Sequence, residues 1–273
     1  MNWFEKFINF LQFKIKEPQV FGWFHLTSVA IIAVIIALVI IFRRKISRKF
    51  IDNTVLIVGL ALVVSEILKQ CIYSMDVIDG VAIWEYSWRT FPFQFCSVPM
   101  YLYVLAVIIR KGKVNDTILC FLATFALFGG GAVLVYPSTV LSSWLYSSIH
   151  TMVWHGSMLI TAITLLSTKT VELKFKSVLK ACIVFVIVLA LAEVMNLLWH
   201  FYGNPDKTFS MFYISPYYEC DIPILHDIKE KAPYAVFLLS YIFGFALIAC
   251  AIMGIAIGID KLHQRRLSKK QSN

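Results

Sequence analysis

A thiol, two amides and a histidine are the groups in this chain best suited to covalent chemistry. Cys96 lies in the segment TFPFQFCSVPMYLYVL (residues 90–105), two residues after Gln94. A cysteine nucleophile needs a base, and histidine is the usual one; His155 falls at a matching depth in a later apolar segment. An amide such as Gln94 or Asn196 would stabilise the oxyanion of an acyl intermediate. The alternative is that Cys96 only fills space, as buried cysteines commonly do.

Ionisable side chains inside apolar segments form a second group of candidates for binding a substrate. Glu66 and Lys69 lie three residues apart on one helix face, where they can neutralise each other. Glu193 and Asn196 share a face of a later segment, and His150 adds a further titratable group. Each charged group costs about 2.5–3.5 kcal/mol at the centre of a bilayer. Every one of them therefore needs a partner or a function.

The elements that carry these residues are predicted to be membrane-spanning helices. Of the 273 residues, 59% are hydrophobic, and the mean hydropathy is +0.76; such values are typical of multi-pass membrane proteins. Roughly 20 apolar residues are needed for each crossing. The sequence therefore predicts an all-α bundle of seven transmembrane helices, at residues 25–42, 54–73, 92–110, 117–136, 148–167, 178–200 and 233–258.

The remaining segments are short. We expect residues 1–24 to contain an amphipathic helix, which either lies in the membrane interface or packs against the bundle. Residues 25–260 would form the transmembrane domain, and residues 261–273 a basic tail. The sequence thus predicts one helical domain with short appendages.

Lysine and arginine predict the orientation of the bundle. Most of the 25 basic residues follow the first, third, fifth and seventh predicted spans, and basic loops stay in the cytoplasm. We therefore expect an external N-terminus and a cytoplasmic C-terminus in a multi-pass protein of the cell membrane. The same rule accounts for the net charge of +9, so we expect no nucleic-acid partner.

With this topology, the candidate polar groups share one depth. They come late in the outward-running spans or early in the inward-running ones, so all fall in the outer half of the bundle. We expect them to line a polar cavity near the three glycines at 129–131, where missing side chains permit close approach. Pro92 is expected to start the third helix, and Pro99 to loosen it beside Cys96. The alternative is that polar residues stay near helix ends because their cost is low there.

Several catalytic classes lack their motifs in this sequence. It contains no P-loop, GxSxG or HExxH pattern, and its six cysteines form no CxxC pair. We therefore expect neither a metal site nor a cofactor. Cys71 and Cys220 both fall in external segments, and the sequence leaves open whether they form a disulfide.

The segment FPFQFCS resembles the LPLHLCS-like segment of the YwaF-type integral membrane proteins. The glycine-rich span that ends in AVLVYP, the fifth span with its histidines and the external NPDKTFSMFYISP are similar to the same layout. The wider family includes a vertebrate acyltransferase that makes polyunsaturated ether phospholipids through a cysteine. The resemblance implies membrane lipids as partners, a phospholipid or lysophospholipid substrate, and Cys96 as the nucleophile. Gln94 stands where the family has a histidine, so His155 would have to serve as the base.

Two other functions remain open at this stage. In a transporter or a lipid- or ion-binding protein, Glu66, Lys69, Glu193 and His155 would bind a solute or relay protons. In a sensor or assembly factor, the external loop at residues 201–232 would bind a partner. Neither alternative requires covalent chemistry at Cys96.

Overall fold

A computed structural model describes residues 2–138, 140–204 and 206–271, and within these ranges most of the chain is helical. The strands β1 (Met75–Ile78) and β2 (Val81–Trp84) pair as an antiparallel hairpin. The helices are α1 (Trp3–Leu11), α2 (Trp23–Phe42), α3 (Arg48–Ser74), α4 (Val98–Ile109), α5 (Lys113–Val135), α6 (Leu145–Ser167), α7 (Phe175–Tyr202), α8 (Leu225–Lys231) and α9 (Tyr234–Gln271).

Six of the described helices are long and apolar enough to cross a membrane, namely α2, α3, α5, α6, α7 and α9. This confirms an all-α membrane bundle. Helix α4 is shorter than the predicted span at 92–110. Its 12 residues extend for only about 18 Å, against a hydrocarbon core of about 30 Å. A non-helical stretch at residues 91–97 leads into it.

The expected roles of the two prolines were wrong. Pro92 lies in the non-helical stretch and does not start a helix, and Pro99 lies in the first turn of α4. In that turn the missing proline N–H costs little because no helical acceptor is available for it. Pro99 therefore helps to start α4, and Cys96 lies in the turn just before it, outside any loosened helix.

The two ends of the bundle differ in chemistry. At one end, Arg43 Nη2 lies 3.2 Å from His263 Nε2, and Lys169 Nζ lies 2.8 Å from the Asp260 carboxylate. Arg48 also reaches this end. We call this the basic end; here α2 and α6 end and α3 and α5 begin. The opposite end is called the aromatic end.

The aromatic end is built from ring contacts between loops and helices. The Trp88 and Trp199 rings lie 4.7 Å apart, and Trp199 stacks on Phe209 at 4.9 Å. The hairpin turns at Asp79 and Gly80, which both have positive φ angles, as a two-residue hairpin turn requires. These contacts give the loops of the aromatic end a folded structure.

Helix α1 packs against the aromatic end. Its Ile8 and Leu11 side chains are buried, whereas Trp3 and Phe10 are exposed. The Gln12 side chain donates a hydrogen bond to the Ile72 carbonyl at 3.0 Å. One apolar face of α1 is thus covered by protein, and the exposed aromatic face is of the kind that lies in a membrane interface.

Helix α5 lies at the centre of the bundle, packed against α4, α6, α7 and α9. Phe121 and Phe125 of α5 stack on each other at 5.2 Å, and Phe125 stacks on Phe185 of α7 at 4.6 Å. Phe95, from the stretch before α4, makes an edge contact with Phe245 of α9 at 5.0 Å. Phe95 therefore anchors the turn that holds Cys96 in the aromatic core.

Two of the three glycines of α5, Gly129 and Gly130, permit the close approach that the sequence predicted. A Cβ at Gly130 would lie 2.7 Å from the His155 carbonyl oxygen of α6, and one at Gly129 would lie 2.9 Å from the Phe95 ring. At Gly131 the nearest atom, in the Leu159 side chain, is 3.9 Å away. Gly130 therefore sets the α5–α6 distance, and Gly129 makes room for Phe95.

Substituting Gly130 and Gly131 tests this packing in a matched pair. We expect Gly130→Ala to destabilise the protein by about 1–3 kcal/mol, because its methyl group meets rigid backbone of α6. Gly131→Ala is expected to be neutral or slightly stabilising, because it has space and alanine favours a helix. Thermal unfolding midpoints of the two variants in detergent provide the measurement. Equal midpoints would show that the two helices do not touch at Gly130.

Candidate functional site

Glu66 on α3 is the centre of a buried polar cluster near the aromatic end. Its carboxylate is 4% exposed. Lys69 Nζ lies 2.7 Å from Oε1, and the Gln70 amide donates a hydrogen bond to the same oxygen at 2.6 Å. His150 Nε2 of α6 lies 3.7 Å from Oε2. The structure thus brings together three of the predicted site residues, Glu66, Lys69 and His150, and confirms the expected Glu66–Lys69 pair.

Serine and tyrosine hydroxyls complete this cluster on the other side of His150. Ser65 Oγ lies 2.7 Å from His150 Nδ1 and 2.9 Å from the Tyr146 hydroxyl. Tyr146 in turn donates to the Ser65 carbonyl at 2.8 Å. Because Ser65 has a single hydroxyl proton, it can donate either to His150 or to Tyr146. The His150 imidazole is therefore hydrogen-bonded to Ser65 through Nδ1, while its Nε2 lies near Glu66 Oε2, which has no hydrogen-bond partner among the described residues.

Cys96 lies beside this cluster, in the turn before α4. Its carbonyl accepts a hydrogen bond from Trp154 Nε1 of α6 at 2.7 Å, and the Trp154 ring lies 4.8 Å from the His150 ring. The half-buried thiol is within electrostatic range of both Lys69 and Glu66. The protein thus holds a free thiol near a buried carboxylate and its partly buried lysine partner.

His155 is oriented by its own helix. Its Nδ1 lies 2.8 Å from the Thr151 carbonyl, and a carbonyl only accepts, so Nδ1 carries the proton. Nε2 then bears the lone pair; it is buried, and no hydrogen-bond partner for it occurs in the described residues. The contacts of Cys96 given above do not include His155, so their pairing stays a prediction.

Gln94 binds a segment that folds over the Cys96 turn. We call residues 209–214, from the loop after α7, the strap. Gln94 Nε2 donates to the Ser210 carbonyl at 2.9 Å, and its Oε1 accepts from the Phe212 amide at 2.8 Å. Both ends of the Gln94 amide therefore bind the backbone of the strap.

Asn196 of α7 holds the strap from the other side. Its Oδ1 accepts from the Met211 amide at 2.7 Å, and its Nδ2 donates to the Met211 carbonyl at 3.1 Å. The next two residues, Phe212 and Tyr213, adopt φ angles of 59° and 57°, which cost energy for residues with a side chain. The amides of Gln94 and Asn196 stabilise this strained backbone.

Glu193 lies apart from Glu66, under the far side of the strap. It lies near Tyr234, whose hydroxyl donates to the Ile214 carbonyl at 2.8 Å. Its Oε2 atom is buried, with no partner among the described residues. Burial lowers the pKa of the nearby Lys229, and the negative charge of the Glu193 carboxylate raises it, which offsets part of this effect. The predicted site residues therefore form two groups, one around Glu66 and one around the strap.

A comparison with known families identifies the kind of protein that carries this arrangement. A model described as the TMEM164 family matches residues 20–257. This chain belongs to the TMEM164 family. The matched range covers α2 to α8 and most of α9, and therefore both groups of site residues. No curated protein and no solved structure matches the chain.

Some residues of this TMEM164-family site were not predicted from the sequence. Ser65, Gln70 and Tyr146 bind the Glu66 cluster, and Trp154 binds the Cys96 turn. Tyr146, His150 and Trp154 are spaced four residues apart, so a single stripe along α6 carries them. That spacing is visible in the sequence and could have indicated that Tyr146 and Trp154 share a helix face with His150. Gln70 lies four residues after Glu66 on α3, so that contact also had a local signal, whereas the contacts of Ser65 required knowledge of how α3 and α6 pack. The structure also shows Cys71 and Cys220 as free thiols, not as a disulfide.

A double-mutant cycle tests whether Glu66 and Lys69 depend on each other. We expect Glu66→Gln or Lys69→Met alone to destabilise the protein by about 3 kcal/mol, because each leaves a buried charge unpaired. The double variant is expected to lose much less than the sum of the two. The free energy of unfolding in mixed micelles is the quantity to measure.

Arg48 and Asp52 supply the control for this cycle. Their side chains form an ion pair at 2.8 Å but are 46% and 48% exposed, and such pairs contribute less than about 1 kcal/mol. Additive effects of Glu66→Gln and Lys69→Met, as small as those at Arg48 and Asp52, would contradict a buried, neutralised pair.

Proposed function

We propose that this TMEM164-family protein is a cysteine-dependent lipid acyltransferase whose reaction takes place near the aromatic end. The chain would cross the cell membrane seven times, with the 91–97 stretch and α4 together forming the third crossing. The N-terminus would lie outside and the C-terminus in the cytoplasm, as the distribution of basic residues favours. The reaction would then take place in the outer leaflet.

One observation carries this proposal, namely the position of Cys96. A thiol that only fills space needs no polar surroundings. Cys96 instead lies within electrostatic range of the Glu66–Lys69 pair and two residues after Gln94, which binds the strap; its carbonyl accepts a hydrogen bond from Trp154 of α6. It also occupies the cysteine position of the segment that resembles the YwaF-type proteins. Position and resemblance together favour a nucleophile.

The proposed reaction has two steps. In the first, the Cys96 sulfur attacks the acyl carbonyl of a phospholipid, an S–C bond forms, the C–O ester bond breaks, and the lysophospholipid leaves with the proton from the thiol. In the second, the hydroxyl oxygen of an acceptor lysophospholipid attacks the thioester carbonyl, a C–O ester bond forms, the S–C bond breaks, and the hydroxyl proton passes to the Cys96 sulfur. No cofactor or metal takes part. His155 Nε2, which bears a lone pair and lacks a donor in the described residues, would relay the proton within each step, first from the thiol to the leaving oxygen and then from the acceptor hydroxyl to the sulfur.

The amides of Gln94 and Asn196 would support the reaction indirectly. Their polar atoms already bind the strap backbone, so we assign them to holding the strap above Cys96. Glu66, Lys69 and His150 would bind the polar headgroup of the substrate or set the charge next to the thiol. Each residue then has a task that matches its observed contacts.

A second function is favoured by the same cluster without covalent chemistry. Glu66, Lys69 and His150 are three titratable groups in contact inside an apolar bundle, an arrangement typical of solute binding or proton relay. Substrate flux into proteoliposomes that depends on Glu66 but not on Cys96 would favour this function over acyl transfer.

A labelling experiment separates a nucleophilic Cys96 from an inert one. Purified protein in phospholipid vesicles is treated with an alkyne-tagged activated acyl ester, and hydroxylamine then tests for a thioester. We expect the wild type to be labelled and Cys96→Ala not to be. Cys71→Ala, which removes another half-buried free thiol near the same end, is expected to be labelled like the wild type. Equal labelling of all three proteins would remove Cys96 as the nucleophile.

A further inference from the structure

A cavity lies at the basic end, away from Cys96. Its volume is about 710 Å³, in the range of sites for small organic ligands. It lies between α2, α6 and α9, where α2 packs on α6, and α9 packs on α5 and α7. Its walls are mainly aliphatic and include Ile40, Leu127, Ile163, Ile252 and Ala256. Such a groove suits hydrocarbon chains.

The mouth of this groove is cationic. Arg43 and Arg44 at the end of α2 and Lys169 after α6 line it, together with His263 of α9. Asp260 is the acidic residue among the lining groups, and Lys169 Nζ already pairs with it at 2.8 Å. Among the described residues, neither arginine has a carboxylate partner in the groove, so the described lining of the mouth carries more positive than negative charge.

Lys169 adopts a backbone conformation that favours glycine. Its φ angle is 57°, which is costly for a residue with a side chain. The conformation lets the side chain reach across the mouth to Asp260 of α9. The Lys169–Asp260 pair therefore links α6 to α9 and occupies the carboxylate that would otherwise repel an anion.

We propose that this groove binds one anionic glycerophospholipid, with its acyl chains along the aliphatic walls and its phosphate at Arg43 and Arg44. Guanidinium groups match phosphate oxygens in a two-pronged geometry, and basic pockets between transmembrane helices bind anionic headgroups. A zwitterionic lipid would place its ammonium group among these cations. The aliphatic walls make a lipid, and not free phosphate, the occupant. The groove lies at the other end of the helices from Cys96, so this proposal does not depend on acyl transfer.

Lipid titration of the purified full-length protein tests the proposal. Native mass spectrometry from detergent micelles measures the binding of phosphatidylglycerol and of phosphatidylcholine with the same acyl chains. We expect phosphatidylglycerol to bind about tenfold more tightly to the wild type. We expect Arg43→Gln/Arg44→Gln to abolish this preference, because each basic residue near the surface contributes to anionic lipid binding.

A matched variant controls for the general charge of this end. Lys49→Gln/Lys113→Gln removes two exposed cations near the starts of α3 and α5, outside the groove lining. We expect it to keep the preference for phosphatidylglycerol. A size-exclusion profile and unfolding midpoint equal to those of the wild type would show that both double variants are folded.

A third variant tests the aliphatic part of the groove. Ala256→Trp fills the wall of α9 and is expected to weaken the binding of long-chain phosphatidylglycerol several-fold. The proposal is overturned if the wild type does not distinguish the two lipids, or if the two double variants lose the preference equally. It is also overturned if millimolar inorganic phosphate displaces the lipid, because the occupant would then be a free anion.

Discussion

The buried carboxylate of Glu66 must be neutralised, and the packing of three segments near the aromatic end depends on that requirement. A carboxylate that is 4% exposed in an apolar bundle cannot stay charged without partners. Lys69 and Gln70 supply them from its own helix, both at Oε1, and His150 of α6 lies 3.7 Å from Oε2. Hydrogen bonds from Ser65 to His150 and Tyr146 join α3 to α6. Trp154, one turn further along α6 than His150, binds the Cys96 carbonyl.

Phenylalanines and amides fix the same turn from its other sides. Phe95 enters the aromatic core next to Gly129, where a larger residue would collide with its ring. Gln94, its neighbour, points the other way and binds the strap. Successive residues of one short non-helical stretch thus contact the core, the strap and α6. This is the reason that α4 begins late: residues 92–97 make contacts that a continuous helix would not permit.

Much of the fold followed from the sequence, because long apolar runs predict helices directly. The ends of α2, α5, α6 and α7 agree with the predicted spans to within four residues, whereas α3 begins six residues before its predicted start. The Glu66–Lys69 pair followed from a spacing of three. The hairpin was missed, although Asp79-Gly80 between apolar strands is a known turn signal. The prolines were misjudged because a proline in the first helical turn and one inside a helix look alike without the position of the helix start.

The remaining features depend on contacts between distant segments. Gln94 binds residues more than 110 positions away, and no local pattern encodes that pairing. The groove at the basic end was missed for a different reason. Arg43, Arg44 and Lys169 were interpreted only as topology signals, and their convergence on one cavity requires the packing of α2, α6 and α9.

The central claim is that Trp154 and the Glu66 cluster hold the Cys96 turn in place, and the alkylation rate of Cys96 tests it most directly. Trp154→Phe keeps the ring and deletes only the N–H that binds the Cys96 carbonyl. Trp199→Phe is the matched control, because Trp199 Nε1 likewise binds a loop carbonyl, that of Lys207, at 3.1 Å. Loss of a buried hydrogen bond costs about 1 kcal/mol or more. We therefore expect a membrane-permeant maleimide to modify Cys96 several-fold faster in Trp154→Phe than in the wild type, and at an unchanged rate in Trp199→Phe. The same rate in the wild type and both variants would contradict it.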